Sequence, residues 1–452
     1  MNYVPVIGLE THVELKTESK MFCSCSANYF GKAPNTHTCP VCLGLPGALP
    51  VPNKKAIEWT ILLGLALNCT INKESKFDRK NYFYPDLPKG YQISQYDKPI
   101  ASGGWLNLKS QNSNLKTTEK KIRITRVHLE EDTGKLLHSN KDTLIDFNRS
   151  GVPLVEVVTE PDFDNSTDVK RFLEELHTII RYLDISDADM EKGSMRMEPN
   201  ISLRKITNDE LRITNKNQKL ELPNYKVEVK NINSFNFAKK AIDYELKRQA
   251  EILDSGKIPV QETRGYNDKK GITYSQRSKE EAHDYRYFPE PDIPPMEFGN
   301  EKLEMINDTL PELPAAKVER YIKKFGIKSS DAVIISRDKI ISAYFENVLS
   351  KIKSDKAGQT VANAMVNKKI STKLSSDEFA KEIEKLSKPK ETNMGMLASS
   401  IEKAIESNPK VVADYKSGKT NAIMFLVGQV MREMKGQADA QTVRAELEKK
   451  LK

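Results

Sequence analysis

Glu10 and His12 stand two residues apart in Val-Ile-Gly-Leu-Glu-Thr-His. On a strand, residues two apart leave the same face, so this pair can offer a carboxylate and an imidazole to one ligand. Close behind come Cys23-x-Cys25 and Cys39-x-x-Cys42. Two thiol pairs joined by a short loop can set four sulfurs in a tetrahedron, the arrangement zinc takes in structural sites. The plainer reading is four unmetallated thiols. A disulfide framework is the less expected use of such a cluster in a reducing compartment. Cys69, alone after an apolar stretch, is expected to be a small core residue.

More carboxylates lie further on. His128-Leu-Glu130-Glu131-Asp132-Thr-Gly134 and Asp146-Phe-Asn148-Arg149 through Glu156 put acids at strand ends beside Gly and Arg. Acids and a histidine gathered from several strands suit a Mg2+–nucleotide site, because Mg2+ takes hard oxygen ligands and shares its shell with phosphate oxygens. Any single glutamate among them is a solvated surface charge on its own. From Arg196 polar residues recur at every second position, as Glu198, Asn200, Ser202 and Arg204; Glu228 and Lys230 do the same. A surface strand alternates in the same way, but Pro199 and Asn200 are poor strand residues, which favours a site. GxxxxGK[ST], GxGxxG after a strand and GxSxG are all missing. An ATP would therefore sit in a sheet-based cradle, held by metal and carboxylates. No cysteine outside the cluster occupies a nucleophile setting.

These residues need a sheet with helices behind it. Val4–Leu9 and the alternating Lys121–His128 are expected strands. Ala56–Leu67 is expected as a buried helix, Phe237–Leu253 as another. Asp168–Leu183 is amphipathic, with Phe172, Leu173, Leu176, Ile179 and Ile180 on one stripe. The prolines of Pro289–Glu297 can continue neither a helix nor a sheet interior, which places a boundary after Asp292. Beyond it the composition turns to Lys, Glu, Ala and Leu with helical periodicity. A second break is expected near Lys388–Asn393. Three apolar stripes come after it: Leu397, Ile401 and Ile405; Ile423, Val427, Val430 and Met434, stopped at Gly436; Val443, Leu447 and Leu451, begun by Asp439 as N-cap. The expected domains are 1–292, 293–390 and 391–452. Net charge is +8, and nearly all of it falls in the last hundred residues, which suggests a polyanion held there. There is no apolar run long enough to span a membrane and no signal-peptide pattern, so a cytoplasmic protein is expected.

Several long blocks then carry a resemblance over essentially the whole chain: VIGLETHVELKTESKMFCSCS, TCPVCLGLPGALPVPN, FDRKNYFYPDLPKGYQISQYDKPI, HLEEDTGKLLH, FNRSGVPLVEVVTEPDF, MEKGSMRMEPNISLR and VEVKNINSF. In them the chain resembles the B-subunit family of the bacterial and organellar aspartyl/glutamyl-tRNA amidotransferases. The resemblance implies an α+β class: a cradle similar to the glutamine synthetase/guanidino kinase fold, an all-α helical domain, and a small YqeY-like tail that grips tRNA. It implies ATP- and Mg2+-dependent phosphorylation of the side-chain carboxylate of Glu-tRNA(Gln) or Asp-tRNA(Asn). Ammonia from a partner amidase, the A subunit, would then displace phosphate, and a small C subunit would brace the heterotrimer. The resemblance assigns Glu10, His12, Glu131 and Glu156 to Mg2+ and phosphate. Glu198, Asn200, Ser202, Arg204 and Lys230 would serve nucleotide or acyl contacts, and Cys23, Cys25, Cys39 and Cys42 a structural Zn2+. Where the family often has Asp-Ala-Asn, this chain has Glu198-Pro199-Asn200. Pro199 lacks an N–H, so an edge or bulge is expected there. The competing function is a free-standing ATP-dependent amide ligase acting on a small carboxylic acid, which would not need the basic C-terminal region.

Overall fold

The computed structural model describes residues 3–109, 119–139, 141–206, 222–278, 286–352, 357–387, 394–434 and 438–451. The expected break at 388–393 and the stop at Gly436 lie outside the described residues.

Strand Tyr3–Glu14 is long, and its burial alternates. Ile7, Leu9 and Val13 are 0–1% exposed, while Glu10, His12 and Glu14 leave by the other face. It is the middle of a nine-stranded sheet. On one side lie Met195–Lys205, Val227–Lys230, Glu262–Asn267 and Ile272–Ser278; on the other lie Pro153–Thr159, Glu119–Glu131, Ala101–Lys109 and Thr70–Ile71. Neighbours run antiparallel except Val227–Lys230 beside Glu262–Asn267. The apolar face of the sheet joins helices Lys54–Ala66, Ser166–Leu183 and Phe235–Asp254 in one core.

The helices begin where their polar caps allow. Asn165 accepts the Asp168 N–H at 2.8 Å, and Ser234 accepts the Phe237 N–H at 3.1 Å, each satisfying a donor the first turn leaves over. The stripe Phe172, Leu173, Leu176, Ile179 and Ile180 is 0–5% exposed. Its burial contributes on the order of 10 kcal/mol before chain entropy is set against it.

Pro199 sits neither at an edge nor in a bulge. Met195–Lys205 pairs with Tyr3–Glu14 from Tyr3↔Lys205 to Val13↔Met195 without a register shift. The missing N–H tells on the other side, where pairing with Val227–Lys230 extends only over Asn200↔Glu228 and Ile201↔Val227.

The chain divides into two compact units, Met1–Lys317 with Arg337–Lys339, and Val318–Ser336 with Ile340–Lys452. The division therefore falls later than Asp292. Past the prolines, Ile293 and Phe298 are buried in the first core, and Leu303, Ile306, Leu310 and Leu313 pack on it. Met296–Glu297 also pairs with Glu74–Ser75. The prolines end a strand without ending the domain. The second unit is helical and holds two cores. One gathers Tyr321, Phe345, Val361 and Phe379. The other gathers Leu397, Ile401, Ile423, Val430, Val443 and Leu447. Asp439 caps helix Ala440–Leu451, accepting the Thr442 N–H at 2.8 Å. No helix among the described residues is long and apolar enough to cross a membrane.

Candidate active site

The polar face is built by register. Arg196 pairs with His12, His12 with Glu156, and Glu156 with His128, so four strands present one row of side chains. The next row carries Glu198 opposite Glu10, and the row beyond carries Asn200 opposite Glu228. Alternation puts Glu130 on the same side as His128, in the neighbouring row that also holds Glu14.

Two groups of potential metal donors result. In one, His12, Glu130 and Glu156 each offer a ligand atom within 4.8 Å of the others; in the second, Glu10, Glu198 and Glu228 do the same. His12 Nε2 lies 3.5 Å from Glu156 and 3.7 Å from Glu130, and His128 Nε2 lies 3.1 Å from Glu156. The Ser94 hydroxyl donates to Glu130 at 3.0 Å. Lys230 Nζ is 3.0 Å from Glu198 and 3.5 Å from Glu228, and the Asn200 amide donates to Glu10 at 2.9 Å.

The crowding of charge shows in the acidities. Burial alone would push the His12 imidazole down, but Glu156 beside it prevails and lifts it to about 9. Burial likewise opposes ionisation of Glu156, yet His128 and His12 hold it well below the usual carboxylate range. Glu198 is brought to about 2 against burial, chiefly by Lys230. Glu10 moves the other way: burial, then Glu156, Glu198 and Glu228, push its carboxyl up. Hard oxygens crowded in this way suit a divalent cation, which neutralises several of them at once.

The positions picked from sequence fare differently. Glu10, His12, Glu156, Glu198, Asn200 and Lys230 come together. Glu131 does not join them. As the neighbour of Glu130 on a strand it points to the opposite side. There it takes the Lys89 ammonium and the Ile93 N–H at 2.9 Å. It lines a separate cavity of about 170 Å³ with Cys23, Cys42, Arg79 and Tyr91. Ser202 donates to the Val6 carbonyl at 3.3 Å, and Arg204 lies opposite Val4. Six residues on from Glu198, Arg204 is roughly 20 Å away along the strand and outside both groups. Glu130, His128 and Glu228 complete the face. The rule that singled out Glu10 and His12, two residues apart, picks His128 and Glu130 equally well.

The four cysteines form a third set. Their Sγ atoms all lie within 4.8 Å of one another, and none is in a disulfide. This set can hold a metal ion.

Known proteins are similar to this chain over nearly its whole length. Residues 5–304 match the family described as GatB/GatE catalytic domain, and residues 313–451 match the GatB domain. The chain is 45% identical to the aspartyl/glutamyl-tRNA(Asn/Gln) amidotransferase B subunit of Thermoanaerobacter pseudethanolicus, over 100% of both chains. It is 44% identical to that of Caldicellulosiruptor bescii, over 99% of this chain and 100% of the relative. It is 42% identical to that of Thermotoga maritima, over 100% and 99%.

The His12 environment has a measurable consequence. Its folded acidity lies above the ordinary 6.5. In metal-free protein it therefore adds stability that is fully present below about pH 6.5 and is lost as pH rises through about 9. An NMR titration of metal-free protein should place the His12 midpoint near 9. Glu156→Gln should lower it by about one unit or more. An ordinary midpoint in the parent would mean that Glu156 does not govern this histidine.

Proposed function

Given that the chain belongs to the family of the B subunits of aspartyl/glutamyl-tRNA(Asn/Gln) amidotransferases, we propose that it activates a tRNA-borne side-chain carboxylate with ATP so that ammonia can amidate it. The observation that carries this reading is the single sheet face holding two adjacent donor groups, His12/Glu130/Glu156 and Glu10/Glu198/Glu228. The substrate is Glu-tRNA(Gln), Asp-tRNA(Asn), or both, and the reaction is an ATP-dependent carbon–nitrogen ligation.

A carboxylate is a poor acyl donor because oxide would have to leave. In the first step a side-chain oxygen attacks the γ-phosphorus, the bond to the β–γ bridging oxygen breaks, and ADP departs. In the second, ammonia attacks the acyl carbon, the bond to the phosphate-bearing oxygen breaks, phosphate leaves, and the nitrogen sheds a proton. Bound Mg2+ would spread the charge of the transferred phosphoryl group. The two donor groups would hold the ion. Glu130 and Glu156 are fixed by His12 and His128, and Glu198 and Glu228 by Lys230. Asn200 orients Glu10. The ammonia would come from glutamine through the amidase of the complex, the A subunit. The small C subunit would complete a cytoplasmic heterotrimer.

By the same family membership the first unit is read as the glutamine synthetase/guanidino kinase-like cradle, and the second as the helical domain and the YqeY-like tail. The excess of Lys and Arg in the last hundred residues suits a tRNA backbone.

Cys23, Cys25, Cys39 and Cys42 are read as a structural Zn2+ clamp. The Cys39 and Cys42 sulfurs are 3.8 Å apart. That is the edge of a tetrahedron whose metal–sulfur bonds are about 2.3 Å. Lys20, 1% exposed, puts its ammonium 3.7 Å from Cys42 Sγ and donates to the His37 carbonyl at 2.7 Å. It offsets part of the charge that four thiolates would bring.

Two outcomes test this reading. With ammonium chloride as nitrogen source, the complex should hydrolyse ATP when given Glu-tRNA(Gln). Glu156→Gln should lower amide formation by about 10²-fold or more while leaving tRNA binding intact. Stimulation by free glutamate alone would instead favour the small-acid ligase. Metal analysis should find about one zinc per chain, lost in Cys42→Ser and kept in Cys69→Ser. Zinc retained without Cys42 would remove the clamp.

A further inference from the structure

Arg196 is left without a role by the donor groups, although it leaves the same face in the row of His12. Its guanidinium is anchored at one end, with Nη2 2.9 Å from Asp132, whose side chain is only 3% exposed. The Arg196 side chain itself keeps 27% exposure, and Asp132 is its one ion-pair partner among the described residues. Of five N–H donors, most are therefore uncommitted.

The other cations nearby are engaged. Lys230 lies between Glu198 and Glu228. Arg149 donates Nε to the Thr133 carbonyl and Nη2 to the Gly134 carbonyl, both at 2.9 Å. Arg126 donates to His128 at 3.4 Å. Arg196 is thus a fixed cation with an open edge, on the face that also carries Glu10, Glu14, Glu130, Glu156, Glu198 and Glu228.

Resting on the reading of this face as a phosphoryl-transfer site, we propose that Arg196 is a catalytic residue that binds an oxyanion of the reacting pair. The chemistry is that of a carboxylate or a phosphoryl group, both of which match the planar guanidinium fork. Two anions must meet on an acidic face for the first step to occur. Metal charge can serve the phosphate side, and a preorganised guanidinium serves the oxygens that metal does not reach. Asp132 fixes the guanidinium before substrate arrives, so little reorganisation accompanies the reaction.

The test uses the whole amidotransferase complex with ammonium chloride, ATP and Glu-tRNA(Gln). Arg196→Ala should lower kcat by about 10²–10³-fold. Guanidinium chloride in the tens of millimolar, roughly, should restore part of it by filling the vacated site with the same fork. Arg196→Lys keeps the ion pair with Asp132 and guards against a folding defect; it should melt like the parent yet turn over about tenfold slower or worse. A raised KM for Glu-tRNA(Gln) would mark the carboxylate as the bound anion, and a raised KM for ATP the γ-phosphoryl group. A folded Arg196→Lys protein with parental kcat and both KM values would overturn the proposal. So would a loss in Arg196→Ala that tracks its loss of folded protein and that guanidinium does not relieve. Glu156→Gln, run alongside, separates the two levels. If it too stays active, the phosphoryl-transfer reading fails; if it alone is inactive, only the role of Arg196 fails.

Discussion

Glu10, Glu130, Glu156, Glu198 and Glu228 are held on one sheet face, close enough that their mutual repulsion has to be offset. Much of the first unit can be understood as the means of doing so. His12 and His128 stand beside Glu156, Lys230 stands between Glu198 and Glu228, and Asn200 donates to Glu10. None of these groups could keep position on a mobile loop. They are spaced by backbone pairing across five strands, and the opposite face of the same strands is buried under three helices. The apolar core and the acidic face are thus two consequences of one alternation along Tyr3–Glu14.

That arrangement also explains how much is legible in the sequence alone. Glu10 and His12 are legible because two-residue spacing on a strand is a local property. Glu198, Asn200 and Lys230 are legible for the same reason. Which acid of a Glu-Glu pair turns inward is not. It depends on strand phase at His128–Glu131, and only the pairing of Glu156 with His128 fixes it. Glu228 is visible on a polar face, but its meeting with Glu10 depends on strand order, which is a long-range property. The cysteine set needs only spacing, since its members come from one short segment.

The domain boundary shows the reverse case. The prolines of Pro289–Glu297 are a strong local signal, but Ile293, Phe298, Leu303 and Ile306 still pack on the first core. Local chemistry can end a strand, while burial decides which core the next segment joins. The amphipathic stripe from Phe172 to Ile180 is legible and is buried as expected, because a helix expresses its period within itself.

The central claim is that one face of the sheet binds divalent cations through two distinct donor groups. Electron paramagnetic resonance of Mn2+ bound in the presence of ADP counts them directly. The account predicts two ions per chain, falling to one in Glu156→Gln and to one in Glu198→Gln, since the two substitutions strike different groups. An unchanged count in both variants would contradict it.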